Sequence, residues 1–152
     1  MKITTDQIKE LREKTSAGIM DSKKALEETN GDITKAAEIL RKKGLEKADK
    51  KSDRATEQGL VETYAHQTGR VASLVEILCE TDFVARTEDF KTLAHEIAMQ
   101  VASMNPKDLE ELLGQEYIRD GSKKISDLIK EAIAKLGENI VVKRIARIEI
   151  GE

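Results

Sequence analysis

Between Val71 and Ala102 the spacing of apolar residues changes period, and this change fixes how that part of the chain can fold. Val71, Ser73, Val75, Ile77 and Cys79 alternate with Ala72, Leu74, Glu76, Leu78 and Glu80. A period of two puts successive side chains on opposite faces of a strand. From Phe90 the spacing becomes three and four, through Leu93, Ala94, Ile97, Ala98, Val101 and Ala102, which is the stripe of a half-buried helix. The segment between them, Thr81 to Phe90, turns strand into helix and sets an acidic residue beside a large aromatic, Asp82-Phe83. The chain has two Phe, two Tyr and no Trp, so a Phe placed at a turn needs a reason. On the residues alone two reasons stand. Either Phe83 closes the core and Asp82 caps the helix, or the pair is presented to a partner.

The rest of the second part follows from the same signals. Leu60 to Ala65 is rich in β-branched residues and is separated from Val71 to Cys79 by His66-Gln67-Thr68-Gly69. This predicts an antiparallel hairpin in which Gly69 takes a positive φ. Asn105-Pro106 stops the Phe90 helix, because the residue before proline is pushed out of helical space. A short helix is expected over 108–114. A longer one carries Ile125, Leu128, Ile129, Ala132, Ile133 and Leu136 and ends at Gly137, and Ile140 to Ile150 forms a closing strand. The fold class is therefore α+β, a three-stranded antiparallel sheet packed with helices.

The first part reads as three short helices. Thr4 to Gln7 has the form of a capping box. Asp21 is expected to cap the second helix and Asp32 the third, with Asn30-Gly31 as a stop between them. Ile33, Ala36, Ala37 and Leu40 form one buried stripe, and Gly44 ends it. Residues 45–56 mix Lys47, Lys50, Lys51 and Arg54 with Glu46, Asp49 and Asp53 and sustain no apolar stripe. We read a three-helix bundle over 1–44, a linker over 45–56 and an α+β core over 57–152.

Charge supports two modules and excludes some functions. Through Ala55 the chain holds 14 Lys+Arg against 11 Asp+Glu, and the remainder holds 12 against 18. A mildly basic head on an acidic body lacks the strong basic patch of a nucleic-acid binder. No apolar run approaches the roughly 20 residues of a membrane span, and no apolar signal region follows Met1. The single cysteine, Cys79, is expected to be a buried, inert thiol, which fits a reducing cytoplasm. His66 and His95 read as surface or boundary residues. No nucleophile signature, metal-ligand spacing or glycine-rich phosphate loop is present, so no catalytic residue, metal or cofactor is expected. These absences favour action by binding.

Three segments are candidates. In Thr15-Ser16-Ala17-Gly18-Ile19-Met20, consecutive Ile19 and Met20 cannot both enter one small helix stripe, so one of them is expected to be exposed. The second candidate is the Asp82-Phe83 turn. The third is Leu136-Gly137-Glu138-Asn139-Ile140, which is also readable as an ordinary helix C-cap.

Together these segments carry a resemblance. Leu11-Arg12-Glu13-Lys14-Thr15-Ser16-Ala17-Gly18-Ile19-Met20-Asp21-Ser22-Lys23-Lys24-Ala25-Leu26 closely resembles the opening signature of bacterial translation elongation factor Ts. Glu80-Thr81-Asp82-Phe83-Val84-Ala85-Arg86 is similar to that family's second signature, and Ala134-Lys135-Leu136-Gly137-Glu138-Asn139-Ile140 to a third. The resemblance implies a head like a ubiquitin-associated (UBA-like) domain, followed by an α+β dimerisation-type core. It implies guanine-nucleotide exchange on elongation factor Tu in the cytoplasm, with the GDP-bound and nucleotide-free forms of Tu as partners. No enzyme of covalent chemistry is implied.

Carried over by position, Thr81, Asp82, Phe83 and Val84 match the motif that enters Tu near its magnesium site. Leu11, Arg12, Ile19, Met20 and Lys23 match a head surface that grips Tu, and Leu136 and Gly137 match a core loop that touches it. Similarity to short, single-core members implies a homodimer. Two departures stand out. Ser16 lies where the family often has Gly and is expected to need a negative φ, and Ile19 replaces a common Met. A reading of a different class also remains, in which the head is a ubiquitin or nascent-chain binding module and the core only dimerises.

Overall fold

The Thr4 hydroxyl accepts from Gln7 N and the Gln7 side chain accepts from Thr4 N, a reciprocal capping box, and this starts the first helix. The computed structural model describes residues 2–152, which divide into two compact units, residues 2–50 and 51–152.

The first unit contains α1 (Thr5–Thr15), α2 (Ile19–Glu28) and α3 (Ile33–Asp49). Leu11, Ala25, Leu26, Ala36 and Leu40 are buried among them, with Ile3, Ile8, Ile33 and Ile39 packed against that centre. Asp32 caps α3 by accepting from Lys35 N. Three local expectations fail here. Asp21 does not cap α2, which starts two residues earlier behind Gly18 and has no side-chain cap. Gly44 does not end α3, which runs on to Asp49. A glycine inside a helix costs only about 1 kcal/mol relative to alanine, too little to stop a helix whose neighbours Arg41, Lys42, Lys43, Leu45 and Glu46 favour it. Ser16 does not take a negative φ. It terminates α1 in the left-handed region (φ 56°, ψ 16°), with its N–H donating to Arg12 O. The geometry suits glycine, and serine adopts it against the clash of its Cβ.

The second unit holds β1 (Gln58–Ala65), β2 (Val71–Cys79), α4 (Asp82–Ala85), α5 (Glu88–Met104), α6 (Leu109–Gly114), β3 (Glu116–Tyr117), β4 (Asp120–Lys124), α7 (Ile125–Leu136) and β5 (Val141–Glu149). The main sheet has the order β1-β2-β5 and is antiparallel throughout. Ser73, Val75, Ile77 and Cys79 point into the core, as the alternation predicts, and the Ser73 hydroxyl donates to Ala98 O of α5 at 2.6 Å. The other face carries exposed Val61, Leu74 and Ile148. Gly69 has φ 71° in the hairpin turn. Gly59 serves a close approach, since a Cβ there would lie 2.0 Å from Ile77 O.

The small β3-β4 hairpin has no counterpart in the sequence reading. Its anchor is Gln100, fully buried on α5. The Gln100 amide donates to Glu116 O (3.0 Å) and Gln115 Oε1 (3.3 Å) and accepts from Ile118 N (3.1 Å). A glutamine inside an apolar stripe is legible as an anomaly, but its partners are not, because they lie 15 to 18 residues away.

Candidate functional site

The turn after β2 is a one-turn helix held at both ends by threonine. The Thr81 hydroxyl accepts from Val84 N at 3.4 Å and caps α4. The Thr87 hydroxyl donates to Val84 O at 2.7 Å and accepts from Phe90 N at 3.2 Å, closing α4 and opening α5. Between these caps Ala85 is the buried residue. Four residues leave one inward position, so Asp82 and Phe83 face solvent. The Phe83 ring is 81% exposed. The chain's other phenylalanine, Phe90, is fully buried. The reading in which Phe83 closes the core is therefore excluded by the packing, and the capping role once open to Asp82 belongs to Thr81 and Thr87.

Asp82 lies outside the core and pairs with Arg86 at 2.8 Å, one helical turn on. Val84 is half-buried. Beneath the turn the Cys79 thiol donates to Thr81 O at 3.1 Å. Burial pushes this thiol's pKa up, and the Glu138 carboxylate pushes it further, so it remains protonated and able to donate.

The third segment meets the second here. Gly137 ends α7 with φ 77°, its N–H donating to Ile133 O. The chain then turns so that the Glu138 carboxylate accepts from Glu80 N (3.1 Å), Thr81 N (2.9 Å) and Thr81 Oγ1 (2.7 Å). Glu80 returns the contact by accepting from Asn139 N at 3.0 Å. Buried Asn139 donates from its side chain to Arg54 O (2.9 Å) and Ser52 O (3.3 Å). Leu136 is half-buried and Gly137 exposed. The sequence reading gave Glu138 and Asn139 no role. Their chemistry was visible in the segment, but their partners sit 57 to 87 residues away.

In the other unit, both Ile19 and Met20 are exposed, at 55% and 64%, where one was expected. They are the first two residues of α2. Arg12 is exposed and its Nε donates to Ala17 O at 3.2 Å. Lys23 is exposed beside Glu27 at 3.9 Å. Leu11 departs from this group. It is fully buried, so it cannot present its side chain and supports the surface from beneath.

His66 and His95 both approach Tyr64. His66 Nδ1 lies 3.2 Å from the tyrosine hydroxyl, and His95 packs edge-on at 5.8 Å between ring centroids. Among the described residues no group of three or more His, Cys, Asp or Glu is placed to hold a metal ion, and no helix is long and apolar enough to cross a membrane.

The arrangement defines a two-unit α+β protein that presents apolar side chains at helix starts, Ile19 and Met20 on α2 and Phe83 on the threonine-capped α4. The family model described as "Elongation factor TS" matches residues 80–152. Elongation factor Ts of Herpetosiphon aurantiacus is 44% identical over 196 aligned positions, covering 99% of each chain. That of Coprothermobacter proteolyticus is 45% identical over 197 positions, covering 100% of each. That of Thermotoga neapolitana is 46% identical over 195 positions, covering 100% of this chain and 99% of the relative. The chain belongs to the elongation factor Ts family. The aligned spans exceed its 152 residues, so these relatives carry internal segments with no counterpart here.

Proposed function

We propose that this chain promotes guanine-nucleotide exchange on elongation factor Tu by inserting the Thr81–Val84 turn near the magnesium site of the GTPase. The observation that carries the reading is a solvated Phe83 ring on a doubly capped turn. Solvating a large aromatic is unfavourable, and burying it in a partner's cleft contributes about 1.5–3 kcal/mol. That energy can offset movement of the partner's own backbone. The turn brings Asp82 with it. Its pair with Arg86 is exposed on both sides, a kind worth at most about 1 kcal/mol, so the carboxylate is readily freed to act on groups that hold the magnesium or phosphates. Thr81 and Val84 shape the turn. Arg12, Ile19, Met20 and Lys23 supply a second contact from the head, and Leu136 and Gly137 a third. No covalent bond is made or broken in this role. The coupling is reciprocal, so GDP weakens the binding of this chain as much as this chain weakens GDP.

The test is release of a fluorescent GDP analogue from loaded Tu. Addition of this chain accelerates it, and an unchanged rate with active Tu defeats the proposal. The competing ubiquitin-binding reading would use the same Ile19 and Met20. It gives no work to Phe83, and a titration with ubiquitin that shows no contact removes it.

We also propose a homodimer in which the outer faces of two sheets cover each other. Val61, Leu74 and Ile148 make that face apolar and exposed, and β1 and β5 leave unpaired edges. Solution mass twice that of the chain, reduced to one chain by Leu74→Glu, is the expected result. In this role the protein acts in the cytoplasm, without direct contact to nucleic acid or membrane.

A further inference from the structure

We propose that Glu138 is a positioning residue for exchange: its carboxylate fixes the Thr81 cap and thereby holds Phe83 in the orientation that the partner receives. This rests on the proposed insertion of the Thr81–Val84 turn.

The geometry is a crossed pair of backbone clasps. Glu138 Oε1 accepts from two consecutive amides, Glu80 N and Thr81 N, and Oε2 accepts from the Thr81 hydroxyl. In return Glu80 Oε1 accepts from Asn139 N. Hydrogen bonds to a carboxylate are shorter and about twice as strong as neutral ones, and these are half-buried, where water competes less. The bond at Thr81 has a further consequence. A hydroxyl carries one proton. Giving that proton to Glu138 leaves the oxygen lone pairs free for Val84 N. The carboxylate thus sets the hydroxyl in the acceptor role that caps α4. Without it the hydroxyl is free to rotate and the cap at the start of this four-residue helix weakens, which leaves the helix held mainly from its other end by Thr87. Phe83 is the second residue of that helix. Glu138 itself has a fixed base, because Gly137 ends α7 and Asn139 is clamped to Ser52 O and Arg54 O. Residues 52–54, 80–81 and 138–139 are therefore tied together next to the turn that carries Phe83.

The experiment measures GDP-analogue release from the GTPase with the full chain and with Glu138→Ala, Glu138→Gln, Phe83→Ala and the double variant Glu138→Ala/Phe83→Ala, alongside amide hydrogen exchange at Asp82, Phe83 and Val84. Glu138→Ala is expected to lower the maximal rate by about tenfold and to speed amide exchange across the turn. Glu138→Gln keeps the reach and one oxygen for the two backbone amides, but its NH2 group cannot accept the Thr81 proton, so it is expected to recover only part of the rate. The double variant is expected to be no slower than Phe83→Ala alone, because a residue that acts through the ring has nothing to position once the ring is gone. Wild-type release by a folded Glu138→Ala chain overturns the proposal. So do losses that multiply in the double variant, since they mark a general structural role. If Glu138→Ala does not fold, Glu138→Asp, whose carboxylate falls short by one methylene, takes its place, and wild-type release with it overturns the proposal equally. A wild-type chain that leaves release unchanged fails the underlying function and this proposal together. A wild-type chain that accelerates release, with Phe83→Ala slow and Glu138→Ala fast, fails this proposal alone.

Discussion

Two exposed apolar features of this chain, Ile19-Met20 and Phe83, are supported in opposite ways. Ile19 and Met20 open α2 behind a glycine, with no side-chain cap. The bond that shapes the preceding loop, Arg12 Nε to Ala17 O, spans five residues. Phe83 stands on a helix of four residues whose cap, Thr81, is held by Glu138, 57 residues beyond that threonine. The head surface is thus a local product of its own helices, and the Phe83 turn is a product of the closed core. A partner surface of the first kind tolerates change in the distant chain. One of the second kind reports on the integrity of the whole unit.

The largest expected effect tests whether the head surface depends on what lies beneath it. Leu11→Ala empties a fully buried site and should cost about 2–5 kcal/mol, read as loss of head structure in denaturant unfolding. Met20→Ala, at an exposed site, should stay within about 0.5 kcal/mol of wild type. A large loss at Met20 would make it a core residue and erase the contrast.

Phe83→Ala comes next. Its thermal unfolding should match wild type, because the ring is exposed, whereas GDP release should slow by roughly ten- to a hundredfold, the equivalent of about 1.5–3 kcal/mol of buried ring. Loss of stability with exchange intact would reverse the assignment.

A smaller effect concerns the loop before Ile19. Ser16 occupies the left-handed region, where a non-glycine residue costs about 1–2 kcal/mol. Ser16→Gly should relieve part of this, raising head stability by up to about 1 kcal/mol in equilibrium unfolding after the entropy cost of glycine is offset.

The last effect is read at high pH and belongs to another long-range tie of the core. The Tyr117 hydroxyl donates to Glu96 at 2.6 Å. Burial, reinforced by the Glu96 carboxylate, pushes its pKa up from 10 to about 12. A raised value means that the folded chain holds the proton more tightly than the unfolded one. The associated stability is whole below pH 10 and is lost as pH climbs through about 12. In an absorbance titration, Tyr117→Phe should remove a tyrosinate phase centred near 12.

Where the signal is periodic or local, the fold was legible in the sequence. The capping box at Thr4, the face assignment of β2, the φ of Gly69 and the stop at Gly137 each rest on residues within one or two turns of one another. Boundaries failed where two local preferences were close in energy. Gly44 lies inside α3 because a single glycine is a weak interruption, and Ser16 follows the geometry of the α1 end against its own preference. At the site, Asp82 and Phe83 stood out as a carboxylate and a ring at a turn, and the residues alone left their direction open.

Local chemistry, meaning side-chain period, capping groups and turn residues, determined the three helices, the three-stranded sheet and the places where the chain departs from them. Only the tertiary structure decided that Phe83 faces water while Phe90 does not, that Leu11 lies beneath the head surface, and that Glu138 rather than a neighbour of Thr81 sets the cap. The reason is range. A capping or periodic signal acts over about four residues, whereas burial and long hydrogen bonds depend on segments that meet only once the sheet has closed.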